Sequence, residues 1–182
     1  MRSLLLQPTI FLIVGLITIG MTIGLAAYAY RKRNISGSVP FLVLTLGVLA
    51  WLVCYLLETI SPELPQKVFW AKLQFPAMLI VPPSWLVVVL NYTGHGKWIR
   101  TPYLLSIAIV PLITLLLVFT NDSHQLIWTT TSIAARSGFH LLQVTYGSWA
   151  WINLAYTYGL IAVAAALLIL ALRSSPYLYR GQ

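Results

Sequence analysis

Residues 10–33 read IFLIVGLITIGMTIGLAAYAYRKR. From Ile10 to Tyr30 no side chain carries a charge, and then three cations arrive together, Arg31, Lys32 and Arg33. A helix that crosses the hydrocarbon core of a bilayer needs about 20 apolar residues. The apolar core of a secretory signal peptide is shorter and leads to a small-residue cleavage site. This run is too long for that, and basic residues stand where the cleavage site would be. It is read as a true span that keeps its N-terminus outside.

Four further runs have the same character: Pro40 to Leu57, Leu73 to Tyr92, Tyr103 to Thr120 and Trp149 to Leu172. None contains Asp, Glu, Lys or Arg. They are continuously apolar, not alternating, so helices fit them better than barrel strands. The whole chain, residues 1–182, is therefore expected to be one all-α membrane domain, a polytopic bundle of five transmembrane helices. Composition agrees: 59% of residues are hydrophobic and 8% charged. A soluble domain has about 45–50% and about 25%.

The 11 Lys and Arg against 3 Asp and Glu give a net charge of +8. The cations stand singly or flank apolar runs, which is a membrane pattern, and no nucleic-acid partner is expected. One side of the bundle collects Arg31, Lys32, Arg33, Lys97, Arg100, Arg173 and Arg180; the other collects Arg2, Lys67, Lys72 and Arg136 with all three acids, Glu58, Glu63 and Asp122. The positive-inside rule then puts the N-terminus outside and the C-terminus inside a cytoplasmic membrane. Lone Cys54 lies in an apolar run, so an internal disulfide is impossible.

Most connections are short, but Asn121 to Ser148 is long. Leu126 to Ile133 and Phe139 to Tyr146 are rich in Thr, Ile, Val and Tyr, with Ser137-Gly138 between them. That reads as a β-hairpin on the outside.

Sites of chemistry are few. No acid or base lies inside a span, which argues against a proton relay. The three histidines, His95, His124 and His140, lie in loops. His124 and His140 with Asp122 would be needed for a metal site, but Asp122 and Ser123 read more simply as turn residues. No metal or cofactor is expected. Pro76, Pro82 and Pro83 in the third span and Pro111 in the fourth remove backbone donors. The carbonyls they free need partners in a bilayer, either from neighbouring helices or in a small-molecule pocket. The candidate ligand pocket comprises Pro83, Trp85, Asn121, His124, Trp128, Asn153 and Tyr156, with Asn153 suited to an interhelical hydrogen bond. Trp149 and Trp151 suit an interfacial aromatic belt. Glu58 and Lys72 flank a short connection and form a candidate ion pair. Gly20 and Gly24 share one face of the first helix. With Gly159 of the fifth span they offer a candidate interface, either for a partner or inside the bundle.

Several stretches together resemble the N-terminal seven-helix membrane region of bacterial histidine kinases. They are Leu57-Glu58 with Leu64-Pro65, Phe69 to Gln74, Pro83-Ser84-Trp85, Asn91 to Gly94, Val110 to Thr114, and Thr120 to Trp128. The last, Thr-Asn-x-x-His-x-Leu-x-Trp, is the most specific. The resemblance runs from the first span to Tyr179-Arg180-Gly181-Gln182 and implies a sensory input module, usually followed by PAS, kinase or cyclase domains. This chain departs from that pattern in showing five spans and no kinase domain. Two functions are carried forward. One is a non-catalytic sensory module that binds a ligand or partner. The other is an accessory subunit of a larger membrane assembly, such as an electron-transfer or light-harvesting complex. Both imply membrane lipids and a protein partner in the membrane.

Overall fold

A computed structural model describes residues 2–136 and 139–174 of the chain. Among the described residues, five helices are long and apolar enough to cross a membrane. They are α1 (Arg2–Arg31), α2 (Ser38–Ile60), α3 (Leu64–Tyr92), α4 (Thr101–Phe119) and α6 (Ser148–Ser174). A 3₁₀ turn, Gly96–Trp98, precedes α4; a single helical turn, α5 (Asn121–His124), and two strands, β1 (Trp128–Arg136) and β2 (Phe139–Tyr146), lie between α4 and α6. The all-α membrane bundle with a small antiparallel hairpin is thus as expected. The Ser137-Gly138 turn lies outside the described residues.

The largest departure is at α3. Its charge-free run begins at Leu73, yet the helix begins at Leu64, with Pro65 in its first turn. Proline is favoured there because that N–H has no helical acceptor anyway. The Glu58 to Lys72 loop therefore shrinks to Ser61, Pro62 and Glu63. Lys67 and Lys72 are helix residues, not loop charges. Neither α3 nor α4 breaks at its prolines; both remain helical throughout.

α3 is the central helix. Lys67, Ala71, Gln74, Ala77, Leu79 and others along it are buried. Gly47 of α2 lets the α2 and α3 backbones approach: a Cβ there would sit 2.8 Å from Ile80 Cγ2 and 3.4 Å from the Ala77 carbonyl oxygen. α6 seats fully buried Ala164 against Leu86, Val89 and Leu90 of α3. α1 packs on α2 through Gly15, Thr22, Ala26 and Ala29.

The hairpin register pairs Trp128 with Tyr146, Thr131 with Val144 and Ile133 with Leu142, with an irregularity between Trp128 and Thr130. Leu142 and Val144 pack on a core of Ala71, Val118, Ile127 and Trp128. The strand expected from Leu126 begins instead at Trp128. The physical reason is that Leu126 and Ile127 spend their N–H groups on side chains of α5, not on a neighbouring strand. Ser36 Oγ lies 3.5 Å from Asn91 Oδ1 and brings the connections after α1 and α3 together at the opposite end of the bundle.

Candidate functional site

The hairpin is fastened by the residues between α4 and β1. Asn121 is 6% exposed and makes three bonds to the chain that follows it. Its Oδ1 accepts from the N–H groups of Ile127 (2.9 Å) and Trp128 (3.1 Å), and its Nδ2 donates to the Trp128 carbonyl (2.9 Å). One amide therefore serves as the pairing partner that a third strand would supply. The Leu126 N–H donates to His124 Nδ1 at 3.0 Å, so the ring proton is on Nε2. Nε2 then donates to Thr120 Oγ1 at 3.1 Å, and that hydroxyl donates to the Leu116 carbonyl at 2.8 Å. Gln125 turns the chain in the left-handed region, φ 55°. Trp128 meets Phe75 of α3 edge-on, ring centres 5.5 Å apart. Thr120, Asn121, His124, Leu126 and Trp128 thus form one fastening that joins α4, the hairpin and α3.

Below the hairpin a polar seam joins α4 to α6. Thr114 is fully buried, accepts from Trp149 Nε1 at 2.9 Å, and donates within its own helix to Val110. Asn153 Oδ1 lies 3.3 Å from the same hydroxyl and shares its one proton with the Val110 carbonyl, which gives the interhelical contact expected of that amide. Trp149 turns inward and is hydrogen-bonded, whereas Trp151, 61% exposed, lies on the surface. One turn further along, the Tyr156 hydroxyl donates to the Ile107 carbonyl. That is the carbonyl Pro111, four residues on, has no N–H to meet.

The expected Glu58–Lys72 ion pair does not form. Lys72 pairs with Asp122 across 3.0 Å. Because α3 starts at Leu64, Lys72 lies more than two turns inside it, and Lys67 is the lysine that faces the end of α2. Lys67 is fully buried and donates to the carbonyls of Glu58 (2.7 Å) and Thr59 (3.2 Å). A cation at a helix C-terminus meets both its unpaired carbonyls and its negative dipole end. Glu58 Oε2 accepts from Gln74 Nε2 at 2.6 Å, and Gln74 Oε1 accepts from Trp51 Nε1 at 3.1 Å. Sequence does not reveal this α2–α3 network, because hydropathy puts Lys67 in a loop and Gln74 at the edge of a span. The only available signal was the i, i+7 spacing of Lys67 and Gln74, which places them on one helix face.

The seven candidate pocket residues therefore occupy four places. Asn121, His124 and Trp128 are at the hairpin base, and Asn121 and Trp128 also line a polar cleft of about 220 Å³ between α3 and β1. Asn153 and Tyr156 lie in the α4–α6 seam. Pro83 lines an apolar groove of about 340 Å³ between α3 and α4, with Pro76 and Pro111 on the same walls. Trp85 packs toward the α3–α6 cluster. His124 and His140 are not brought together: His140 pairs with Ala135 near the hairpin tip, while His124 lies at its base. Among the described residues no three His, Cys, Asp or Glu side chains are gathered as metal ligands. A Cβ on Gly20, Gly24 or Gly159 would meet nothing within 4 Å, so these faces lie open rather than inside the bundle.

No curated protein matches the chain, and neither does any solved structure. A family model does match, over residues 14–182, and it takes in α1 from its second third onward, the other four membrane helices and the hairpin fastening. On that match, nearly the length of the sequence, the chain belongs to the family described as the N-terminal 7TM region of histidine kinase.

Proposed function

We propose that the chain is a non-catalytic sensory input module that takes its signal at the hairpin end and passes it through α4 and α6. The observation that carries this is the fastening at Asn121. Through it the hairpin is tied to α4 and α3 by buried hydrogen bonds and aromatic packing. Only Gly147 separates β2 from α6, which then runs the depth of the bundle. A Cβ on Gly147 would overlap the carbonyl oxygens of Gln125 and Leu126, so this junction has no slack. A displaced hairpin must therefore carry the start of α6 with it. Buried polar networks of this kind are stiff and hold one arrangement over others. The open glycine face of α1 is where a protein partner in the membrane, or lipid, lies against the module.

A chimera tests the reading. The chain replaces the input region of a histidine kinase whose phosphotransfer to its regulator can be measured in membranes. Output should change when the fastening is cut by Asn121→Ala, with the chimera inserted to the same level. Phosphotransfer identical with and without Asn121 would remove the proposal.

A further inference from the structure

The cleft between α3 and β1 is lined by Val68, Lys72, Asp122, Gln125, Trp128 and Thr131, among others, and measures about 220 Å³. At roughly 30 Å³ per water, that is space for about seven waters, or one small anion with part of its shell. The two charges in it are unequally placed. The Lys72 side chain is 15% exposed and that of Asp122 84% exposed. Most of the Lys72 side chain is covered by its neighbours, whereas most of that of Asp122 stands in solvent and is free to swing away. Asp122 already shows that a carboxylate oxygen fits against Lys72, at 3.0 Å. Gln125 and Thr131, residues with an amide and a hydroxyl, also line the cleft, together with the apolar Val68 and Trp128. Lys72 has three donors and gives one to Asp122.

We propose that this cleft binds an oxyanion, a phosphate or carboxylate group, which displaces Asp122 from Lys72. Asp122 is then an internal competitor that occupies the site until the ligand arrives. The exchange releases the α3–α5 tie one residue from Asn121, and so reaches the hairpin fastening. Its role as a signal rests on the sensory reading above; the binding does not. The oxyanion has two sources at this position, a soluble anion or the headgroup phosphate of an anionic lipid, whose charge no choline offsets.

The test uses the full chain in nanodiscs of phosphatidylcholine, titrated with inorganic phosphate and with acetate while the unfolding midpoint and the heat of binding are followed. A second set of nanodiscs replaces phosphatidylcholine with phosphatidylglycerol and receives no added anion. Each variant is compared with its own anion-free midpoint. Asp122→Asn should tighten binding by about 3–10-fold, because removing a competitor raises the fraction of competent sites. Lys72→Gln should abolish it. Stabilisation by soluble anion identifies a soluble source, and stabilisation by phosphatidylglycerol alone identifies a lipid. The proposal is overturned if neither source binds, if Lys72→Gln binds as the parent does, or if Asp122→Asn weakens binding. A chimeric kinase deaf to the hairpin, with anion binding intact, would remove the sensory reading and leave this one standing.

Discussion

Pro111 removes a backbone donor from the middle of α4, and Tyr156 of α6 puts an O–H in its place at the Ile107 carbonyl. The sequence alone says that a carbonyl freed by proline must find a partner, but not which residue supplies it, because the donor lies 49 positions away. Tyr156→Phe should cost about 0.6 kcal/mol, the average for interhelical hydrogen bonds in membranes, and no more than about 1.7 kcal/mol. Pro111→Ala restores the N–H. In that background Tyr156→Phe should cost close to nothing, and thermal melting of the four proteins of this cycle decides it. Equal costs in both backgrounds would show that the hydroxyl acts by packing alone. Asn121 offers a second test at this scale. Asn121→Asp keeps the acceptor for the Ile127 and Trp128 N–H groups and loses the donor to the Trp128 carbonyl, whereas Asn121→Ala loses all three bonds. Each stranded buried group costs roughly 1–3 kcal/mol. The alanine protein should melt well below the aspartate protein, and amide exchange at Ile127 and Trp128 should rise in the alanine protein first.

Two helices show how far element boundaries and faces can be read from sequence. Hydropathy places α2, α4 and α6 to within a few residues, because their ends coincide with the ends of charge-free runs. It fails for the start of α3, since Lys72 ends the charge-free run and Lys67 lies beyond it. A lysine is tolerated there because the carbonyls at the end of α2 take its protons, a contact visible only after the two helices have been packed. Choosing the packed face of α1 fails for a related reason. Gly20 and Gly24 have the spacing of a close-approach pair, but Thr22, Ala26 and Ala29 are nearly as small and it is they that are buried. Spacing identifies candidate faces and only the partner helix selects among them. Replacing Gly24 with Leu should therefore leave the bundle folded, whereas Ala29, 2% exposed, cannot accept Leu without pushing α1 off α2. Size-exclusion profiles and melting curves in mild detergent should separate the two, with Ala29→Leu aggregated or melting several degrees lower. A loss of fold in Gly24→Leu would mean that α1 packs through the other face.

At the scale of the whole molecule, the structure sharpens the charge argument for orientation. Counted from sequence, the hairpin end held four cations, Arg2, Lys67, Lys72 and Arg136, against seven at the other end. Lys67 is now buried against backbone carbonyls and Lys72 is paired with Asp122, so two of the four no longer act as free surface charge. The opposite end gathers Arg31, Lys32 and Arg33 directly after α1, with Arg33 stacked 4.6 Å from the Tyr30 ring centre, and Lys97 and Arg100 before α4. A bias of this kind sets topology through the cations near helix ends. The expected arrangement has the hairpin outside and the connection containing Ser36 in the cytoplasm. Cys54, half-buried in α2, is first replaced by alanine, and single cysteines are then introduced as Ser36→Cys and Ser132→Cys. Ser132 lies on the exposed, polar face of β1, and Ser36 is exposed at the opposite end. A membrane-impermeant maleimide added to intact cells should label the Ser132 variant and spare the Ser36 variant until the cells are opened. The reverse pattern would place the hairpin, and with it the cleft at Lys72, on the cytoplasmic side, where any soluble anion that reaches it comes from within the cell.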